Sequence, residues 1–149
     1  MARFSSILFT VYIAACSLAA PTNMQRRQTG DLQCNLARLQ LISDVSSAST
    51  LLNQLQSNST LALSTTTAVA VAQAGLNSVN DGVQSILGAV LMGQTAPADS
   101  RTQVEDGLNQ ALAAVSNITE PSATMTAMAV ADKLLDAGKA GDVVLAGCK

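Results

Sequence analysis

The chain has 149 residues, 48% of them hydrophobic, only 12% charged, and a formal net charge of −2. It has no His, and its three aromatic residues, Phe4, Phe9 and Tyr12, all lie in the first dozen positions. This excludes a Ser-His or Cys-His nucleophile, a His metal ligand, and an aromatic stacking platform for bases or sugars.

The first nineteen residues read as a secretory signal peptide. Arg3 supplies the positive start, Ile7 to Ala15 the apolar stretch, and Ser17-Leu18-Ala19 the small-x-small cleavage site. The apolar stretch is far shorter than the roughly 20 residues of a membrane-spanning helix. Residues 20–27 read as a short propeptide, cut after the dibasic Arg26-Arg27. The remaining domain, 28–149, carries five basic and ten acidic residues, a net charge of −5. No basic patch for nucleic acid or an anionic membrane surface follows from that balance.

Four helical segments are predicted from apolar periodicity. The first runs from about Asp31 to Gln56, with Leu32, Leu36, Leu39, Ile42, Val45, Ala48, Leu52 and Leu55 as its buried side. The second runs from about Thr60 to Met92. Its stripe is Val69, Ala72, Leu76, Val79, Val83, Ile86 and Val90, spaced alternately by 3 and 4. A bend is expected at Asn80-Asp81-Gly82, because a turn-like tripeptide is costly inside a helix. Gly93 to Pro97 forms the next break.

The third segment runs from Pro97 to about Asn117, with Val104, Leu108, Leu112 and Val115 apolar. The fourth begins at Pro121, and its stripe is Ala127, Val130, Leu134, Ala137, Gly141 and Val144. Gly138 and Gly141 are expected to weaken or break its last turns.

These segments predict an all-α fold, an antiparallel up-down-up-down four-helix bundle. Such a bundle places the start of helix one beside the end of helix four, where Cys34 and Cys148 fall. A Cys34–Cys148 disulfide is therefore expected. In the chain-entropy model, closing a loop of about 115 residues stabilises by roughly 4–5 kcal/mol. A second helix over 60–92 would be about 50 Å long against about 30 Å for the third. Part of its stripe then lacks a partner and becomes a candidate apolar binding surface. Met125 and Met128 extend that candidate surface, since Met adapts to irregular apolar ligands.

No catalytic residue, metal ligand or cofactor is read from the chain. Asp132 and Asp136 lie one helical turn apart, but Lys133 and Lys139 beside them make a solvated charged face. Asn77 to Gly82 lacks the acidic ends of a calcium loop. Asn58-Ser59-Thr60 and Asn117-Ile118-Thr119 are N-glycosylation sequons at breaks in the helical pattern.

The dibasic site with Gln28, the Cys34-Asn-Leu-Ala-Arg38 opening, Ala74 to Gly82, the Gly93 to Pro97 break and the closing Gly147-Cys148 resemble small secreted proteins of mushroom-forming fungi. The Ala/Ser/Thr-rich helical body is more distantly similar to the hydrophobic-surface-binding and cell-wall galactomannoprotein group, from which the cysteine pair distinguishes it. The resemblance implies an effector-like, non-enzymatic helical protein, and it carries no functional residue onto this chain. The expected partner is an apolar surface, a lipid, or an extracellular protein or cell-wall component, and the expected location is extracellular. The alternative is a structural cell-wall glycoprotein. More remote is a hydrolase without a recognisable motif.

Overall fold

A computed structural model describes residues 32–58 and 60–147. The segments read as signal peptide and propeptide, the latter with Arg26 and Arg27, and Cys148 lie outside the described residues. The described residues form four α-helices: α1 (Leu32–Gln56), α2 (Leu63–Leu91), α3 (Ala98–Ser116) and α4 (Pro121–Gly147). No strand occurs among them.

Residues 68–72, where Ala and Val alternate as they would in a strand, are helical within α2. Gly93 closes α2 in the left-handed conformation, φ 70°. Its N–H donates to the Val90 carbonyl and the Gln94 N–H to the Ala89 carbonyl, at 3.0 and 2.8 Å, a Schellman closure.

α2 packs chiefly on α3, and α1 chiefly on α4. The α2–α3 seam is built from small residues. A Cβ on Gly75 would stand 2.7 Å from the Gly107 carbonyl oxygen, and one on Gly107 would stand 2.6 Å from that of Gly75. A Cβ on Gly82 would meet the Ser100 carbonyl oxygen at 2.9 Å. Contact positions rise along α2 as they fall along α3, so the two helices run in opposite senses. Leu41 against Gly141 and Asp44 against Lys133 give the same relation for α1 and α4. Leu52, Leu76, Val69, Val79 and Val130 are the largest fully buried side chains of the shared core.

Three features depart from the sequence expectation. α2 continues unbroken through Asn80-Asp81-Gly82. Gly82 is there because α3 comes too close for a side chain, and that contact outweighs its low helix propensity. α4 likewise continues through Gly138 and Gly141 to Gly147.

The third departure is the register of α1. Leu32, Leu36, Leu39 and Ile42 are exposed, and the buried line is Cys34, Ala37, Leu41, Val45, Ala48, Leu52 and Leu55. Steps of three residues fall about 60° short of a turn each time. The run Ala48, Val45, Ile42, Leu39 therefore walks off the core face, whereas alternating steps of three and four stay on it.

Substitution separates the seam glycines from the others. Gly107→Ala is expected to destabilise by about 1–3 kcal/mol, because backbone atoms of α2 must move. Gly88 has open space around a Cβ, and Gly88→Ala is expected to stabilise by about 0.5–1 kcal/mol. Urea titrations of the two variants should shift in opposite directions.

Candidate apolar binding surface

The outward side of α1 changes character along its length. Its first three turns present Leu32, Leu36 and Leu39, which are 74%, 56% and 64% exposed. Later turns of that side carry Ser43, Ser46 and Thr50, also exposed. The hydroxyls of Ser47 and Thr50 donate to the carbonyls of Ser43 and Ser46, at 2.8 and 3.0 Å. Beside the leucines, α1 and α4 line a shallow, open surface groove of about 420 Å³. Leu36, Ala37, Ala140 and Val143 form its apolar lining, and Gln33, Gln40, Asp136 and Lys139 its polar rim. Lys139 and Asp136 are paired at 3.0 Å, so the rim is close to neutral.

The sequence-predicted stripe on α2 divides in two. Val69, Ala72, Leu76 and Val79 are buried in the core and inaccessible to a partner. Val83 and Ile86 pack partly against that core, and Val90 is half-buried. The Ser85 and Ser100 hydroxyls share a 2.8 Å hydrogen bond, and α3 begins only two residues before Ser100. The last turn of α2 therefore overhangs α3, leaving Leu87, Leu91 and Met92 exposed. Met125 and Met128 are exposed on α4.

Asn58 and Asn117 are both exposed, in the α1–α2 and α3–α4 connections. The Asn58 carboxamide oxygen accepts from the Thr60 N–H at 3.1 Å and the Thr60 hydroxyl at 2.7 Å. The Asn117 carboxamide instead donates to the Ala113 carbonyl at 3.0 Å, as the helix C-cap. Cys34 is buried in the first turn of α1. Asp132 is exposed and Asp136 is held by Lys139. No group of three acidic or cysteine side chains among the described residues could hold a metal ion. No helix there is long and apolar enough to cross a membrane.

Sequence reasoning missed three polar ties, each anchored on a buried residue. Asp44 is buried in α1 and accepts from Lys133 of α4 at 3.0 Å and from Gln40 at 3.2 Å. This pairing raises the Lys133 pKa above its ordinary value. Ser100 is held by Ser85. Buried Thr65 donates to the Glu120 carboxylate, which also accepts the Ala62 N–H at 3.1 Å. α2 has no capping side chain of its own, so Glu120 from the α3–α4 connection takes that role. A carboxylate there also complements the helix dipole. The only available signal was a polar residue inside an apolar stripe, and in Asp44 that signal was present.

No family model, curated protein or solved structure matches this chain.

The Thr65 hydroxyl and then the Ala62 N–H hold the Glu120 carboxyl below its ordinary pKa of 4.5. A lowered folded-state pKa stabilises the fold above the unfolded value, and that stability is lost as pH falls through the folded value. Glu120→Gln should lower the melting temperature at pH 7. The gap from the parent should close as pH drops below 4.5. Thermal melts of both proteins across the acid range check this.

Proposed function

We propose that the chain is a secreted, non-enzymatic, effector-like small protein that acts by binding an apolar surface or ligand outside the cell. One observation carries the reading: Leu32, Leu36 and Leu39 stand exposed on one side of α1, beside an open groove lined in part by apolar side chains. Monomeric soluble proteins seldom leave such contiguous apolar rows without a use. The near-neutral rim of the groove favours an uncharged or apolar partner over a strongly ionic one. The lack of His, and of aromatics beyond Tyr12, supports binding over catalysis.

The architecture of this reading is an antiparallel up-down-up-down bundle of the four helices, with a Cys34–Cys148 disulfide. It is supported by the opposite senses of the α1–α4 and α2–α3 pairs. The Glu120 contact, which brings the starts of α2 and α4 together, supports it too. Cys34 is buried in the first turn of α1, and the α1–α4 pairing supports a place for it near the end of α4. On this closure the exposed ends of α1, α2 and α4 lie together, and the apolar surface is the end of the bundle away from both sequons. A structural cell-wall glycoprotein is the second reading, favoured by the exposure of Asn58 and Asn117.

Retention on an octyl-derivatised matrix tests the first reading. The parent protein should be retained, and the triple variant Leu32→Gln, Leu36→Gln, Leu39→Gln should elute with the unretained fraction. Because these side chains are exposed, each change should alter stability by no more than about 0.5 kcal/mol. Equal retention of the two proteins would overturn the reading.

Intact-mass analysis of the secreted protein, before and after reduction, tests the architecture. It should show a chain beginning at Gln28 with one disulfide. Two free thiols would remove the staple.

A further inference from the structure

We infer that the molecule is two rigid helix pairs, α2–α3 and α1–α4, hinged at the end where Glu120 sits and able to part at the other end. The inference rests on the four-helix closure proposed above and adds a motion to it.

Within each pair the packing is dense and carries an inter-helix side-chain bond. The α2–α3 seam brings backbone to backbone at Gly75 and Gly107, again at Gly82, and closes with the Ser85–Ser100 bond. The α1–α4 pair carries the bond from Lys133 to buried Asp44 midway and Leu41 against Gly141 further along. Between the pairs the helix contacts are sparse.

The polar contacts described from pair to pair gather toward one end. Gln73, in the first third of α2, donates to Asn53 and Gln56 of the last α1 turns at 2.8 and 3.0 Å. Ala62 and Thr65 reach Glu120 just before α4.

At the opposite end the inward stripe of α2 loses cover. Val69, Leu76 and Val79 are fully buried, whereas Val83, Ile86 and Val90 further along are only partly buried. Burial thus falls steadily away from the polar ties. A contact held by bonds at one end and by incompletely covered aliphatic side chains at the other opens by rotation about the bonded end. Hinge motion of this kind absorbs its change at a few positions near element ends.

Spin-label distance measurement tests the hinge. Labels attached through ketone-bearing unnatural residues leave the native cysteines untouched, and all chosen sites are exposed. The pair Thr102 and Asp142 spans the two helix pairs at the free end. The pair Ala113 and Met128 spans them at the Glu120 end, and Gln84 with Thr102 lies within α2–α3. The Thr102–Asp142 distribution should be broad and extend to longer distances, while the other two stay narrow. A single narrow Thr102–Asp142 distribution would overturn the inference. So would equal broadening of all three, which means general looseness and no hinge. A bundle of different closure would instead miss on mean distances, so that failure is separable from a closed bundle, which misses on width.

Discussion

Backbone-to-backbone approach at Gly75 and Gly107 is the contact on which the arrangement depends. Without an aromatic side chain beyond Tyr12, the body cannot fill wide gaps between helices. It must bring the helices close and let dispersion over many small contacts replace a few large ones. Gly75, Gly82 and Gly107, with Ala72 and Ala111 beside them, permit that closeness on one pair. Ala37, Ala127, Ala137 and Ala140 give α1 and α4 a related small-residue surface. The larger aliphatics, Leu52, Leu76 and Val130, then fill the space that remains between the pairs. Close pairing inside each half is thus a consequence of composition, and so is the thinner contact between halves.

That division explains what was legible in the chain. The number, order and approximate limits of the helices were readable, because each carries a long apolar repeat and ends at Gly, Asn or Pro. The α2 stripe was readable in register too, since steps of 3 and 4 alternate from Val69 to Val90. The α1 register was not. Its first turns carry apolar residues on two sides, and only one side continues the line set by Leu52 and Leu55. Leucine size pointed to Leu32, Leu36 and Leu39. Helix geometry selected the smaller Cys34 and Ala37 instead, since a straight helix has one inward line. The glycines misled for a related reason. Propensity treats each as a local defect, while Gly75 and Gly82 in α2 mark places where another backbone must fit.

The buried polar residues follow a second rule. Each of Asp44, Thr65 and Ser100 has a partner on another helix or at a helix start, as burial of a hydrogen-bonding group demands. A buried carboxylate such as Asp44 adds little net stability over an apolar residue of similar shape, but losing its partner is severe. Lys133 is therefore better understood as the residue that makes Asp44 tolerable than as a surface charge. Together they fix how α4 slides along α1, which small alanines alone would leave loosely specified. Glu120 does the same for the start of α2, where no local capping side chain exists.

The exposed leucines of α1 are then the residues left over once packing and polar satisfaction are met, and their position bears on function. An apolar residue that serves folding goes inward, and the inward line of α1 is already complete without Leu32, Leu36 and Leu39. The same outward side carries serine and threonine from Ser43 onward, so the chain can build a hydroxyl-rich exterior and does so where nothing else is required. Keeping leucine on the first three turns exposes apolar area that folding does not use and that solubility opposes. The external apolar contact proposed above would account for both halves of the helix at once. A purely structural glycoprotein would leave the leucine half without a reason.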